Sequence, residues 1–264
     1  MIAKIWQHQE GAGADLVVLH GWGLNSAIWR PLLSYLSPHY RVHCIDLPGY
    51  GESPWPSDKP VSLASYVDLL IPILPERCHL LGWSLGGLIA TAIALSAPTR
   101  IQSLIQVCSS PRFVEDPQSV PAWPGMSAKV LQLFQRNLSA DFEQTVSRFL
   151  AIQAMGSPSA RADTKQIKEL VFTKPLPDLT ALKGGLALLA NTDMRPLLPQ
   201  LQMPLLSIYG EHDTLVPVAT AGQVASIMAG KVAEQHVIPH TSHAPFMTAP
   251  EHFTERLVQF TNAH

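Results

Sequence analysis

Residues 80–98, LLGWSLGGLIATAIALSAP, place a serine between glycines at the junction of two apolar stretches. The short run before Ser84 predicts a buried strand, and the stretch after it predicts a helix that ends near Pro98. Glycines on both sides let the strand and the helix approach closely while the serine takes a strained backbone conformation. A plain turn that happens to hold a serine is the alternative. The strand–turn–helix context favours a nucleophile at Ser84.

Short apolar runs rich in strand-forming residues alternate with helical patterns along most of the chain. Such alternation predicts an α/β fold with a mostly parallel sheet and helices on both faces. The 264 residues, 47% of them hydrophobic, suit one large unit of this kind. The predicted strands cover residues 15–21, 40–49, 78–83, 101–108, 204–210 and, more weakly, 232–239; the predicted helices cover 24–37, 62–74 and 85–97.

One long segment interrupts this alternation. Residues 111–200 contain no strong strand pattern, and proline-rich junctions flank helix-like stretches between roughly 130 and 190. We expect a helical lid here, lying over the carboxyl edge of the sheet. Residues 1–110 and 201–264 would then form the core.

Composition argues against several classes of protein. The formal net charge of -2 gives no general attraction to nucleic acid or to an anionic membrane. The N-terminus lacks the apolar core of a signal peptide, and no apolar run nears the ~18 residues of a membrane helix. Cys44, Cys78 and Cys108 lie in or beside apolar runs without C-x-x-C spacing, which indicates buried free thiols. We expect a cytoplasmic monomer.

A serine nucleophile needs a carboxylate and a histidine, which follow the serine along the chain in folds of this type. YGEHDTLVP places Asp213 in the loop after a predicted strand, where it would fix the histidine tautomer and stabilise the imidazolium. Glu211 is the nearest alternative. Asp46 comes before Ser84 and more plausibly orders its own loop.

The best candidate for the base is His243, in IPHTSHAPF, after the last predicted strand and before a closing helix. There it would relay the serine proton. His240 and His212 compete with it, because each lies close to the expected site along the chain. The loop-end position and the Ala-Pro-Phe that follows favour His243.

Acyl transfer also needs N–H donors for the oxyanion. The amide of Leu85, directly after the serine, is one candidate. The second is the amide of Trp22 in HGWGLN, because Gly21 and Gly23 allow that loop to turn its amide inward. For His20, in the same loop, we expect a structural role.

HGWG, GWSLGG, GEHD and SHAPF occur in this order, and with them the chain resembles the α/β-hydrolase superfamily over essentially its whole length. LVVLHGWGLNSAIWRPL, CIDLPGYGES, LLGWSLGGL, TVSRFLAIQAMGS and HAPF together resemble the BioH carboxylesterases of biotin synthesis. This resemblance implies an α/β-hydrolase fold with a helical lid inserted after the sixth strand. It also implies hydrolysis of the methyl ester of pimeloyl-[acyl-carrier protein], with no metal or organic cofactor.

Carried over by position, the resemblance implies a triad of Ser84, Asp213 and His243, with Trp22 and Leu85 at the substrate and oxyanion positions. The residues that would contact substrate are Trp22, Ser84, Leu85, His243 and a lid segment of Phe149, Leu150, Ala151, Ile152 and Gln153. Trp83, Met155 and Phe246 could also wall an apolar slot for a methylene chain. For Trp83 and Met155, sealing the lid against the core is an equally good interpretation.

Positive charge is concentrated in the predicted lid. Residues 148–174 carry five basic and two acidic side chains, a local charge of +3. Arg161, Lys165 and Lys168 are spaced to share one helix face. Since carrier proteins are acidic, Arg148, Arg161 and Lys165 are candidates for docking the carrier that bears the substrate. A solvated helix face with no partner is the alternative.

The sequence therefore predicts a serine carboxylesterase that acts through an acyl-enzyme. Serine at the elbow argues against dehalogenases and epoxide hydrolases, which use an aspartate there. Two alternatives stay open: a broad short-chain esterase or C–C bond hydrolase, and a binding protein that retains the elbow without catalysis.

Overall fold

Seven strands form one sheet in the computed structural model, which describes residues 4–140, 142–155 and 160–264. Side chains at positions 139, 140, 142, 143, 146, 150 and 154 are outside this description. The strands are β1 (Gln7–Glu10), β2 (Ala14–Leu19), β3 (Tyr40–Ile45), β4 (Cys78–Trp83), β5 (Ile101–Val107), β6 (Leu205–Gly210) and β7 (Ala233–Ile238). Their order across the sheet is β1-β3-β2-β4-β5-β6-β7. All neighbours are parallel except β1 and β3, so the carboxyl ends of β2 to β7 share one edge.

Helices surround the sheet. They are α1 (Arg30–Leu36), α2 (Leu63–Leu70), α3 (Leu85–Ser96), α4 (Ala128–Ala140), α5 (Phe142–Ala154), α6 (Ala160–Val171), α7 (Leu179–Asn191), α8 (Ala219–Ile227), α9 (Pro245–Thr248) and α10 (Pro250–Ala263). Among the described residues, no helix combines the length and the apolarity of a membrane span. The three cysteines are buried and free, as predicted.

The six predicted strands are confirmed, and the strand that sequence reasoning missed is β1. Its sequence, QHQE, is polar and all four residues are exposed, so it carries no alternation of apolar and polar residues. It pairs antiparallel along β3 as an edge strand, with Gln7 opposite Ile45 and Glu10 opposite Val42. The strand therefore forms through backbone hydrogen bonds to β3, and its side chains give no pattern from which a strand could be predicted.

Prolines shorten two of the predicted helices. The segment predicted as a helix over 24–37 divides into a 3-10 turn, Ser26–Trp29, and α1, because Pro31 can occupy only the first turn of a helix. The segment over 62–74 likewise ends as α2, with a 3-10 turn around Pro72 after it.

In the described part of the insertion, four helices, α4 to α7, lie between β5 and β6. The insertion thus follows β5, the fifth described strand. The expected position after a sixth strand is wrong, because a single described strand, β1, comes before β2 and the count before the insertion is therefore five. Contacts with loops at the carboxyl ends of strands place it over that edge: Trp22 Nε1 donates to Leu182 O at 2.9 Å, and His243 N donates to Gln153 O at 3.2 Å. Its limits at residues 111 and 200 stay a prediction.

A buried ion pair ties the insertion to the core. Lys174, just after α6, lies with its Nζ 2.8 Å from Asp46 Oδ2 and 2.9 Å from the centre of the Trp6 ring. Its side chain is only 3% exposed. Asp46 also accepts from the amides of Ser26 and Glu52. Lys174 is therefore a structural residue and does not add to the surface charge of the lid, whereas Asp46 orders its loop as predicted.

Replacing Lys174 with methionine leaves the carboxylate of Asp46 buried without its ion pair. We expect Lys174→Met to lower the free energy of unfolding by about 3–5 kcal/mol. Lys165→Met is the control, because it removes an exposed pair with Glu169 at 3.7 Å and should change stability by about 0–1 kcal/mol. Urea denaturation of both variants measures the two free energies of unfolding. Equal losses of stability would contradict the structural role of the buried ion pair between Lys174 and Asp46.

Candidate active site

The sharp turn between β4 and α3 forces Ser84 into an unusual backbone conformation, with φ 55° and ψ -121°. A Cβ atom at Gly82 would lie 2.3 Å from Gly86 O, and one at Gly86 would lie 2.5 Å from Leu19 O. Larger residues at either position would therefore push the helix away from the sheet. The strained elbow predicted from the sequence is confirmed, and it puts Ser84 at the N-terminus of α3.

Asp213 and His243 meet at the same edge of the sheet. Asp213 follows β6, and its Oδ2 lies 2.7 Å from Nδ1 of His243, which follows β7. Both side chains are fully buried. The other oxygen of Asp213 accepts from the amides of Leu215 and Val216 at 2.8 and 3.0 Å, which orients the carboxylate. This arrangement fixes the tautomer that leaves Nε2 of His243 free to accept a proton.

Trp83 links the elbow to the histidine. Its indole Nε1 donates to His243 O at 2.7 Å, and the two rings lie 5.7 Å apart between centres. Trp83 is fully buried and supports the histidine through this contact. Nε2 of His243 is buried and has no partner among the described groups, so its hydrogen bond with Ser84 is not formed here. Such contacts are often long in ligand-free enzymes and tighten around the substrate.

The residues that compete for the acid and base roles are outside the buried pair of Asp213 and His243. Glu211, His212 and His240 are exposed, and Glu211 Oε2 accepts from the His240 amide at 2.7 Å, so it does not serve His243. His20 is buried, with Nδ1 2.9 Å from Gly21 O and Nε2 accepting from the amide of Leu47. Burial lowers the pKa of His20 to about 4, so it is neutral at pH 7. Its contacts are those of a residue that fixes a loop.

Two backbone amides border the elbow. Among the described residues, none accepts a hydrogen bond from the amide of Leu85 or of Trp22. A Cβ atom at Gly21 would lie 3.2 Å from Cβ of Ser84, so the loop after β2 passes directly against the serine. Gly23 has φ 76°, which permits the turn of that loop. Both predicted donors therefore lie beside the serine, without a competing acceptor in the described structure.

The insertion covers this site. Phe149 is buried, with its ring 4.7 Å from that of Trp22 and 5.6 Å from that of Phe134. Gln153 is fully buried, and neither end of its side-chain amide has a partner among the described groups. Ser84 is only 2% exposed. The serine is therefore shielded from solvent in this structure.

The remaining lid candidates differ in exposure. Ile152 is half-buried and Ala151 is exposed, whereas the side chain of Leu150 lies outside the described residues. Met155 is 50% exposed, and its place in an acyl slot stays a prediction. Phe246 is buried against Trp83, with ring centres 5.0 Å apart.

A family model described as the α/β hydrolase fold matches residues 16–250. Among solved structures, an esterase from Exiguobacterium antarcticum superposes with a TM-score of 0.85 at 24% identity, covering 98% of this chain and 96% of that one. A bromoperoxidase from Bacillus anthracis gives 0.84 at 19% identity, covering 98% and 96%. With the elbow described above, these likenesses define the class as an α/β hydrolase with serine at the elbow.

Two relatives resolve the class further. The pimeloyl-[acyl-carrier protein] methyl ester esterase of Pectobacterium carotovorum subsp. carotovorum is 43% identical over 263 residues, covering 100% of both chains. The protein of the same name from Aeromonas hydrophila is 46% identical over 250 residues, covering 95% of this chain and 96% of the relative. The chain belongs to the family of these esterases.

Changing Asp213 to asparagine removes the acceptor that fixes the His243 tautomer. We expect Asp213→Asn to lower kcat by roughly 10⁴-fold, measured on a chromogenic short-chain ester. Glu211→Gln, which removes a carboxylate two residues away, is the matched control and should retain near-normal turnover. If Glu211→Gln caused the larger loss, the acid would be Glu211.

Proposed function

We propose that this protein hydrolyses the methyl ester of pimeloyl-[acyl-carrier protein], releasing methanol and freeing the pimeloyl carboxylate for biotin synthesis. The observation that carries the proposal is the likeness to esterases of that name at 43–46% identity over nearly the whole chain. The pairing of Asp213 with His243 beside the elbow of Ser84 supports it with the groups that ester hydrolysis needs. A cytoplasmic location and a monomeric state stay predictions.

The reaction follows from these side chains. Ser84 Oγ attacks the ester carbonyl while Nε2 of His243 takes its proton, and Asp213 stabilises the imidazolium. The amides of Trp22 and Leu85 stabilise the oxyanion. His243 then gives the proton to the departing methoxide, which leaves as methanol. A water activated by His243 splits the acyl-enzyme, and the proton returns to Ser84 as the carboxylate departs.

The acyl chain would lie between the loop after β2 and the lid. Trp22 and Phe149 provide an aromatic wall there, and burial of a methylene chain contributes about 0.8 kcal/mol per CH₂. Gln153 lies one helical turn after Phe149 on α5, and its buried side-chain amide has no partner among the described groups. In this proposal Phe149, Leu150, Ala151, Ile152 and Gln153 form the lid side of the substrate site.

Docking of the carrier is proposed on α5 and α6. Arg148, Arg161 and Lys165 are exposed, and Arg161, Lys165 and Lys168 line one surface groove on α6. The burial of Lys174 removes one of the five basic side chains from this surface, and Lys165 is partly compensated by Glu169. The remaining positive charge suits an acidic carrier and would orient it over the lid.

A comparison of substrates tests the proposed function. We expect a higher kcat/KM for pimeloyl-carrier methyl ester than for free acetate or butyrate esters, with both activities lost in Ser84→Ala. The gene should also restore biotin-independent growth to a host that lacks its pimeloyl ester esterase. A preference for free short esters would favour a broad esterase, and turnover that is negligible on both would favour a binding protein.

Charge reversal tests the docking surface. Arg148→Glu combined with Arg161→Glu should raise KM for the carrier-bound ester several-fold while leaving a free short ester unaffected. The matched control is Arg77→Glu with Lys231→Glu, because these exposed residues precede β4 and β7 and so lie at the opposite edge of the sheet. Equal effects of the two pairs, or on the two substrates, would contradict selective docking.

A further inference from the structure

Three side chains of types that can ligate a metal lie together on the surface, in the loops that carry Asp213 and His243. Glu211 and His212 are in the loop after β6, and His240 is in the loop after β7. Their nearest ligand atoms all lie within 4.8 Å of one another. Glu211 Oε2 is 3.6 Å from Nε2 of His212 and 3.7 Å from Nδ1 of His240. The proposed ester hydrolysis uses none of the three.

We propose that Glu211, His212 and His240 form a binding site for a divalent first-row cation, with zinc as its best-suited occupant. Two imidazoles and one carboxylate are a common ligand set for zinc, at bond lengths of about 2.0–2.2 Å. Ligand atoms around a tetrahedral ion at such lengths lie roughly 3.4 Å apart. The two measured oxygen–nitrogen separations exceed that value by only a few tenths of an ångström.

The backbone holds the ligands in place before any ion arrives. The His212 amide donates to Thr241 O at 2.9 Å, and the Glu211 amide donates to Ile238 O at 3.2 Å, so the two loops are already joined. The His240 amide donates to Glu211 Oε2 at 2.7 Å and fixes the position of that carboxyl group. A ligand that is already oriented lowers the entropic cost of binding.

A second trio in the described part of the chain is less suitable. The side chains of Cys108, Asp213 and His243 also bring their ligand atoms within 4.8 Å, but all three are buried. Nδ1 of His243 is already bonded to Asp213, and burial raises the pKa of the Cys108 thiol well above its usual value. The side chains of the surface trio are 42 to 81% exposed and open to solvent ions.

An ion in the surface site would join the loop that carries Asp213 to the loop that carries His243. Glu211 and His212 directly precede Asp213 in sequence, and His240 lies three residues before His243. Metal binding would therefore stabilise the relative position of the acid and the base. This inference does not depend on the identity of the ester substrate.

Calorimetric titration with zinc chloride tests the site. We expect the metal-free protein to bind one zinc ion, and His212→Gln with His240→Gln to weaken binding at least tenfold. His236→Gln with His252→Gln is the control, because it removes another histidine pair, whose Nε2 atoms lie 3.1 Å apart, and should leave the affinity unchanged. Equal affinity in the first variant, or loss of binding in the control, would overturn the proposal.

Cobalt distinguishes the surface trio from the buried one. The visible spectrum of the Co²⁺-loaded protein should show bands of nitrogen and oxygen ligation that disappear in the His212→Gln, His240→Gln variant. A thiolate charge-transfer band would instead assign the ion to Cys108 and overturn the proposal. Saturating zinc should also raise the Tm of the wild-type protein and not that of the double variant.

Discussion

The close approach of β4 and α3 at Gly82 and Gly86 is the constraint on which the rest of the proposed site depends. Because these glycines carry no Cβ atom, the helix can begin directly at the end of the strand, and Ser84 takes a positive φ at the turn. That conformation puts the serine at the N-terminus of a buried helix, beside two amides without acceptors in the described structure. The elbow is therefore a consequence of packing, and its chemistry follows from its position.

Long-range contacts then assemble the remaining groups around the elbow. Asp213 and His243 come from the ends of two neighbouring parallel strands, so the sheet itself brings them together. Two hydrogen bonds hold the backbone of His243: its carbonyl accepts from the indole of Trp83, and its amide donates to the carbonyl of Gln153 in the lid. The lid is in turn fixed to the core by Lys174 and Asp46.

The parts that the sequence predicted are those with local signatures. The elbow needs glycines at fixed offsets from Ser84, and the acid and base follow strands whose apolar runs are evident. The role of Lys174 was not predictable, because its partner Asp46 lies 128 positions earlier. The polar strand β1 was missed because its place depends on backbone pairing with β3, and the strand count before the lid was wrong. The exposure of Met155 likewise depends on how the lid packs.

Identification of the nucleophile tests the central claim most directly. We propose that one strained serine, activated by the buried His243–Asp213 pair, carries the acyl group. Treatment with a fluorophosphonate ester followed by peptide mass spectrometry should find a single adduct, on Ser84, which is absent from Ser84→Ala. An adduct on another residue, or ester hydrolysis that persists in Ser84→Ala, would contradict the account.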